Sequence, residues 1–344
     1  MKAYRIHGPK RATYEELPDP TVGPEDVLLH VRAVAACGTD LEIYQGTMFY
    51  FTSGLAGYPV IPGHEWSGEV IKVGSLVSIV SPGDKVVGEC TVACGHCAYC
   101  RKGWYNQCPN RRETGILNLD GGFADRMCYP ASWLHKFDKL SFEEAALCET
   151  TAIAVYAVKL ADVCPADNVA VLGPGPVGLQ ALQAAKAYGA RKVVVIGGRA
   201  DRRELALRLG ADATIDLQQH DLEQETLRVT RGRRFDVIIE ATGNPAAVRE
   251  LTRIVRPRGR IALVGLFNSQ MGEVDLDALV VNNITIKGSL GSPGVWEETI
   301  ALLETGRIRA APLITHRRPL AEADDIMAMM AERRTDLIKA VLTP

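Results

Sequence analysis

The sequence predicts an α/β protein of two domains, one a doubly wound parallel sheet and the other a smaller, irregular β-rich domain. Its length of 344 residues exceeds the size at which a single hydrophobic core keeps growing. Up to about residue 150 the chain is dominated by short β-type runs punctuated by Gly and Pro, whereas after Thr151 strand-like and helix-like patterns alternate. This alternation favours parallel strands with helices on both faces of the sheet.

Each element follows from its local pattern. The β-rich part includes the runs Val27–Val31 and Glu69–Val73. The parallel sheet is predicted to contain strands at Val169–Leu172, Lys192–Ile196, Val237–Glu240, Arg260–Val264 and Ile284–Lys287, and helices at Val177–Tyr188, Asp201–Leu209 and Pro245–Val255. After Gly288–Gly291 we expect a return to the first domain, with helices near Val295–Glu304 and Ala321–Arg333 and a last strand at Ile338–Leu342. The expected domains are therefore residues 1–150 with 290–344, and residues 151–289.

Composition and charge exclude several classes of protein. Hydrophobic residues make up 47% and charged residues 23%, as in compact soluble proteins, and the formal net charge is −2. This charge argues against nucleic acid and anionic membranes as partners and favours small molecules. The segment Met1–His7 has no apolar signal core, and no stretch reaches the roughly 18 apolar residues of a membrane span. We therefore expect a cytoplasmic protein.

A glycine-rich turn predicts a dinucleotide site. Gly173, Gly175 and Gly178 form a G-x-G-x-x-G pattern directly after a predicted strand, and Pro176 and Val177 open a helix. The glycines permit a tight turn and close approach to a pyrophosphate, which the helix N-terminus also favours. A structural Gly/Pro-rich loop is the alternative.

The end of the next strand bears on which nicotinamide cofactor is bound. An acidic residue about 20 positions after the glycine-rich turn would hold the ribose 2′-hydroxyl of NAD. Here the strand runs into Gly197-Gly198-Arg199, with no carboxylate at the expected place. Gly197 leaves room for a 2′-phosphate, and Arg199, Arg202 or Arg203 could pair with it. We therefore favour NADP over NAD, against the alternative of a solvated basic helix face.

Four clustered cysteines predict a metal site. Cys94, Cys97, Cys100 and Cys108 lie within fifteen residues of a chain that has no export signal. Four thiolates make a closed, tetrahedral structural zinc site. Buried free thiols, an iron-sulfur cluster and a nucleic-acid-binding zinc ribbon are the alternatives, and the net negative charge speaks against the last of these.

A second metal signature is dispersed along the sequence. Cys37 begins the segment Cys-Gly-Thr-Asp, and His64 lies within Gly-His-Glu. Together with the four-cysteine segment and the glycine-rich turn, these motifs give the whole chain a resemblance to the zinc-containing medium-chain dehydrogenases/reductases of the alcohol, polyol and threonine dehydrogenase type. The resemblance implies a chaperonin-10-like β-barrel catalytic domain, a Rossmann domain, and two zinc ions, one catalytic and one structural.

The same resemblance implies the ligands of the catalytic zinc. Cys37 and His64 are two of them, and the third comes from Glu65 or from the segment Leu147–Thr150, in which Glu149 aligns better than Cys148. Exchange of the Glu65 and Glu149 carboxylates during turnover is a hypothesis. In such enzymes zinc lowers the pKa of the alcohol, which then transfers hydride to the nicotinamide.

Two further residues are expected to carry the proton. Thr39 stands where relatives use a hydroxyl to bridge substrate and cofactor ribose. Glu42 departs from the family, because many members have a histidine five positions after the cysteine. It could pass the proton, hold a polyol hydroxyl, or be a solvated carboxylate.

The substrate is indicated by short segments. The loop Tyr44–Tyr58 is aromatic and is expected to line the pocket, and Gly57–Gly68 is similar to aminocyclitol and polyol dehydrogenases. We therefore expect a secondary alcohol on a polyol, sugar or cyclitol. The alternatives are an L-threonine 3-dehydrogenase-like enzyme, a quinone-reductase-like enzyme without catalytic zinc, and a dinucleotide-binding protein without turnover. By the same resemblance, Asn283–Leu290 is a candidate interface of a homodimer or homotetramer.

Overall fold

The computed structural model describes residues 1–219, 221–267 and 271–344. The chain divides into two compact units. The β-rich unit comprises Met1–Glu149, Gly291–Glu304 and Ala310–Pro344, and the parallel-sheet unit comprises Thr150–Leu290 and Thr305–Arg309. None of the helices in the described ranges is both long and apolar enough to cross a membrane.

The β-rich unit is built on a seven-stranded sheet. Numbered along the chain, the strands of the whole unit are β1 (Lys2–Gly8), β2 (Arg11–Glu16), β3 (Asp26–Ala35), β4 (Glu65–Val73), β5 (Lys85–Gly88), β6 (Thr91–Val92), β7 (Arg112–Thr114), β8 (Asn118–Leu119), β9 (Arg126–Pro130), β10 (Leu134–Lys136), β17 (Ile314–Pro319) and β18 (Lys339–Thr343). The large sheet has the order β10-β5-β4-β3-β18-β17, with β9 also paired to β3. Along β3, Val27, Leu29 and Val31 are buried in alternation, as expected for a strand with one face on the core.

Short helices connect these strands. They are α1 (Gly38–Gln45), α2 (Phe49–Thr52), α3 (Ala98–Arg101), α4 (Phe142–Ala146), α11 (Trp296–Glu304) and α12 (Ala323–Ala331), with 3₁₀ turns at Tyr105–Gln107, Ala131–Trp133, Ala311–Leu313 and Leu320–Glu322. The first four had no counterpart among the predicted elements, because their lengths of eight, four, four and five residues are too short for a helical period to stand out.

The parallel-sheet unit confirms the predicted doubly wound sheet. Its strands are β11 (Asn168–Leu172), β12 (Lys192–Ile196), β13 (Ala213–Ile215), β14 (Phe235–Glu240), β15 (Val255–Leu263) and β16 (Thr285–Gly288), all paired in parallel in the order β13-β12-β11-β14-β15-β16. Its helices are α6 (Pro176–Ala187), α7 (Ala200–Arg208), α8 (Leu222–Thr230), α9 (Pro245–Ile254) and α10 (Leu276–Asn282), while α5 (Cys148–Leu160) begins at the boundary between the units. The strand order reverses at β11, which has β12 on one side and β14 on the other.

Candidate metal centres and dinucleotide turn

The Cys37 and His64 motifs meet through one buried carboxylate. Cys37 follows β3 and caps the N-terminus of α1, and its backbone N–H donates to Asp40 Oδ2 over 2.8 Å. The other oxygen of Asp40 accepts a hydrogen bond from Gly63 N at 3.0 Å, and the Asp40 side chain is fully buried. The carboxylate therefore holds the two loops together, although 26 positions separate Cys37 from Gly63 in the sequence.

His64 is positioned by a glycine that a larger residue could replace only with backbone strain and a shift of Phe123. Gly63 has φ +95°, and a Cβ there would lie 2.3 Å from Phe123 Cδ1. His64 Nδ1 is 3.8 Å from Asp40 Oδ1, and this buried nitrogen has no hydrogen-bond partner among the described residues. Burial alone would lower the pKa of His64, but the Cys37 thiol, Asp40 and Glu149 raise it well above its ordinary value. The imidazole thus lies where negative groups converge and a cation is favoured.

The ligand atoms of Cys37, His64 and Glu65 all lie within 4.8 Å of one another. Thiolate, imidazole and carboxylate are ligands that zinc accepts, and an unpaired buried imidazole nitrogen fits a metal ligand. This donor set is therefore compatible with one zinc ion that keeps an open fourth position.

Glu65 has a buried cationic partner that the sequence motifs did not reveal. Lys339, at the start of β18, donates from Nζ to both Glu65 carboxylate oxygens and, over 3.2 Å, to the Ala36 carbonyl. The side chains of Lys339 and Glu65 are only 3% and 1% exposed. Such a pair persists because each charge compensates the other and hydrogen bonds satisfy both. A single lysine in a C-terminal strand carries no local signal, so only the pairing of β18 with β3 identifies it.

Glu149 lies in the first turn of α5 and is buried. Burial raises its pKa to about 7, with Glu65 adding to the rise and His64 opposing it. The Glu149 carboxylate is therefore within electrostatic reach of the same centre, but it is not in the set whose atoms all lie within 4.8 Å. Cys148 is also absent from that set, and burial raises the pKa of its thiol. Carboxylate exchange stays a prediction.

The two predicted proton carriers lie on α1. Thr39 Oγ1 is 4.0 Å from Cys37 Sγ, so this hydroxyl is beside a candidate ligand. Glu42 is half-buried one turn further along, and its backbone carbonyl accepts hydrogen bonds from Thr47 N and Met48 N. Both roles stay predictions.

The four-cysteine segment folds into a compact cluster. Four Sγ–Sγ distances are 3.5 Å (Cys97–Cys100), 3.6 Å (Cys94–Cys108), 3.8 Å (Cys97–Cys108) and 3.9 Å (Cys94–Cys100). Zinc–sulfur bonds of the usual length place tetrahedral sulfurs about 3.8 Å apart. Hydrogen bonds from the backbone N–H groups of His96 and Cys97 lower the pKa of Cys94 to about 6, which favours the thiolate. The cluster therefore fits a closed four-thiolate zinc site.

The glycine-rich turn has the geometry of a pyrophosphate site. Gly173 has φ +98°, and a Cβ on Gly178 would lie 1.9 Å from the Gly173 carbonyl oxygen. Gly175 is the N-cap of α6, and Pro176 and Val177 form its first turn. The turn follows β11, where the strand order reverses, and ligands of open α/β sheets bind at such a point.

After β12, Gly197 and the three arginines of the predicted cofactor site have different surroundings. A Cβ on Gly197 would lie 2.3 Å from Pro174 Cδ, so packing against the glycine-rich turn already requires this glycine. Arg203 is bound within the unit, to the Gly197 carbonyl at 2.9 Å and to Asp216 at 2.6 Å. Arg199 is the N-cap of α7, and burial together with Arg199 lowers the pKa of Arg202 to about 10. The positive charge of Arg199 thus adds to the effect of burial on the Arg202 guanidinium.

Comparison with known proteins gives consistent matches. Residues 23–139 match the alcohol dehydrogenase GroES-like domain, and residues 176–305 match the zinc-binding dehydrogenase domain. The whole chain is 33% identical to sorbitol dehydrogenase of Bacillus subtilis, covering 97% of that protein. It is 35% identical to L-threonine 3-dehydrogenase of Symbiobacterium thermophilum, again over its whole length and over 98% of that relative.

A solved structure from Sinorhizobium meliloti, bound to NADP, superimposes on the whole chain and on 99% of its own length with a TM-score of 0.92 and 30% identity. The fold, the two matched domains and the full-length relatives agree with the family indicated by the motifs. The chain is therefore a member of the zinc-type medium-chain dehydrogenase/reductase family.

Proposed function

We propose that this protein is a zinc-dependent oxidoreductase that transfers hydride between a secondary alcohol of a polyol, sugar or cyclitol and NADP or NAD. The observation that carries the proposal is the convergence of Cys37, His64 and Glu65, whose ligand atoms all lie within 4.8 Å. Similarity to a sorbitol dehydrogenase over the full chain supports the polyol class.

The residues of the candidate zinc centre would have different roles in the reaction. Cys37, His64 and either Glu65 or Glu149 would hold zinc, which as a Lewis acid would make the substrate hydroxyl more acidic. Thr39, beside Cys37, would relay that proton by accepting it while giving up its own hydroxyl proton, and Glu42 would pass the released proton on toward solvent. Asp40 would keep the Cys37 and His64 loops in register, because it hydrogen-bonds to both backbones.

We assign cofactor binding to the parallel-sheet unit. Gly173, Gly175 and Gly178, with the N-terminus of α6, would hold the pyrophosphate. Arg199 and Arg202 would bind a 2′-phosphate through charge-assisted hydrogen bonds, and the anion would offset the unfavourable effect of Arg199 on Arg202. NADP is therefore favoured over NAD, in keeping with the NADP-bound relative.

A second zinc ion would be structural. The four thiols of Cys94, Cys97, Cys100 and Cys108 would fill its coordination sphere completely, leaving no open position for substrate. Its contribution would be to the folding of the segment and not to the reaction.

The oligomer is proposed to form through β16 at the sheet edge, within the candidate interface Asn283–Leu290. Unpaired strand edges bind another strand, and α10, just before β16, exposes Leu276, Val280 and Val281 by 69%, 76% and 77%. A second copy of the chain would cover both features in a homodimer or homotetramer. A cytoplasmic location fits the nine cysteines, none of which forms a disulfide.

L-Threonine 3-dehydrogenase activity is the second candidate, because a full-length relative of that name is 35% identical. The test is a panel of initial rates of nicotinamide reduction with polyols, sugars, cyclitols and L-threonine, with NADP and NAD in parallel and a chelator-treated control. Chelator-sensitive rates with polyols and NADP support the proposal. Preference for L-threonine and NAD would overturn the substrate and cofactor assignments, and an absence of any rate would favour a protein that binds dinucleotide without turnover.

A further inference from the structure

Besides the candidate zinc ligands, the β-rich unit contains a second polar cluster, formed by Tyr50, Arg111 and Glu113. Arg111 Nε donates to Glu113 Oε1 over 2.7 Å, and the Tyr50 hydroxyl donates to the same oxygen over 3.2 Å. Arg111 Nη2 also donates to the Tyr50 hydroxyl at 2.9 Å, which closes a triangle of hydrogen bonds. Glu113 is 7% exposed, so its charge is almost fully removed from bulk water.

The backbone that carries this cluster packs against the His64 loop. Glu113 pairs with Thr91 across β7 and β6, and the next residue, Thr114, donates its backbone N–H to the Cys90 carbonyl at 2.9 Å. A Cβ on Gly115 would lie 2.7 Å from Gly63 N, one residue before His64. The cluster therefore sits beside the candidate zinc centre and within the same unit.

The electrostatic surroundings of Cys90 support this placement. Burial raises the pKa of the Cys90 thiol well above its ordinary value, and Glu149, Glu113 and Cys37 raise it further. The half-buried Cys90 thiol thus lies in the electrostatic fields of both the cluster carboxylate and two residues proposed for the candidate centre. Tyr50 belongs to the aromatic loop Tyr44–Tyr58 that the sequence predicts as a pocket wall.

A buried pair of charges is not an efficient way to stabilise a core. Burying an ion pair costs desolvation that its attraction repays only in part, and well-packed apolar side chains serve a core at least as well. Among the described residues, Glu113 accepts its two side-chain hydrogen bonds through Oε1. Its Oε2 atom can therefore accept a hydrogen bond from a ligand. The pKa of Tyr50 is raised by burial and by Glu113, so the phenol remains a donor and acceptor at neutral pH.

We propose that the Tyr50–Arg111–Glu113 cluster determines substrate specificity by hydrogen-bonding hydroxyl groups of the substrate remote from the reacting carbon. The inference rests on the proposed function and deepens it. Glu113 would accept a hydrogen bond from one substrate hydroxyl. Tyr50 and Arg111 would orient the Glu113 carboxylate and contact a neighbouring substrate hydroxyl. Because Arg111 and Glu113 cancel each other's charge, the cluster fits a neutral, hydroxyl-rich chain or ring. An anionic carboxylate or phosphate would find no net positive charge there, because Glu113 already neutralises Arg111.

The experiment compares kcat/KM for sorbitol and myo-inositol with kcat/KM for 2-butanol, which lacks remote hydroxyls. Glu113→Gln and Tyr50→Phe are expected to lower kcat/KM for the polyols about 10- to 100-fold, the cost of losing a hydrogen bond to a charged group. The rate with 2-butanol, the zinc content and the dinucleotide affinity are expected to stay within about threefold, because no candidate ligand is altered. Glu16→Gln and Tyr14→Phe, at exposed positions outside the candidate sites, are the matched controls.

Equal losses of kcat/KM with polyols and 2-butanol would assign the cluster a structural role and overturn the proposal. Unchanged kcat/KM with both substrates would also overturn it. Polyol binding is also measured without turnover, as the rise in melting temperature caused by sorbitol with cofactor present. That rise is expected in the parent protein and in both controls and is expected to disappear in Tyr50→Phe, the milder variant if Glu113→Gln fails to fold. If the parent protein shows no turnover but this pattern of sorbitol binding holds, the proposed function is contradicted and the role of the cluster in binding is not. A larger rise with L-threonine or a polyol phosphate than with sorbitol would contradict the specificity proposed for the cluster.

Discussion

Replacing Lys339 with methionine is expected to have a large effect on stability that depends on zinc. The substitution keeps much of the side-chain volume but leaves the Glu65 carboxylate, 1% exposed, without its cation. Removing one partner of a buried ion pair costs about 3–5 kcal/mol, because the remaining charge stays desolvated. We expect the free energy of unfolding of chelator-treated protein to fall by that amount.

Zinc is expected to restore part of this loss. In the parent protein Lys339 Nζ bonds both Glu65 oxygens, so a zinc ion would compete with the ammonium group for the carboxylate. In Lys339→Met that competition would be gone, and zinc would supply the missing positive charge. A ligand that binds only the folded state stabilises it by mass action. The increase in stability on adding zinc is therefore expected to be larger in the variant than in the parent.

The assay is urea unfolding followed by tryptophan fluorescence, with and without zinc. Lys136→Met is the matched control, because Lys136 pairs with Asp84 over 2.6 Å but at side-chain exposures of 52% and 28%. Such an exposed pair contributes roughly 0–1 kcal/mol. Glu65→Gln combined with Lys339→Met is expected to recover most of the loss, since both charges are then absent. A loss below about 1 kcal/mol for Lys339→Met, or strict additivity in the double variant, would refute this reasoning.

Four shorter predictions concern other parts of the chain. Gly178→Ala is expected to weaken dinucleotide binding at least about tenfold by fluorescence titration, because its Cβ would lie 1.9 Å from the Gly173 oxygen; unchanged binding would contradict the assigned turn. Arg199→Ala is expected to weaken NADP binding about tenfold and leave NAD binding unchanged in the same titration, since it removes a charge-assisted contact to phosphate. Cys100→Ser is expected to lower the zinc content measured by mass spectrometry by about one ion per chain and to lower the melting temperature; an unchanged content would contradict the structural site. Val280→Glu, at a position 76% exposed on α10, is expected to shift the mass measured by light scattering toward the monomer, and a retained oligomer would contradict the proposed interface.

The parallel sheet could be predicted closely because its buried strands are continuous apolar runs. The strand Lys192–Ile196 begins and ends where the sequence indicates. The predicted elements left out β13, α5, α8 and α10. Of these, β13 and α10, with three and seven residues, are too short to show a period. The strand β15 begins five residues before the predicted start, because Val255–Gly259 contains Pro and charged residues that mask its extended conformation.

The candidate zinc centre was only partly predictable. Cys37 and His64 stand in recognisable motifs, and the structure brings them together with Glu65. Asp40 belongs to the Cys37 motif, but its role as the buried link to Gly63 appears only when the two loops are adjacent. Lys339 and Glu113 had no signal in the sequence, and Tyr50 was noted only as part of an aromatic loop. The partners Glu65 and Tyr50 are far from Lys339 and Glu113 in the sequence, and a lone charged residue is ordinarily exposed.

The most direct test of the central claim is a zinc titration of chelator-treated protein, with bound zinc and the rate of sorbitol oxidation measured on the same samples. If Cys37, His64 and a glutamate hold a catalytic ion, the parent protein will bind two zinc ions per chain and gain activity as the second site fills. His64→Ala will bind one ion and remain inactive. Full activity in zinc-free protein, or undiminished activity in His64→Ala, would contradict the account.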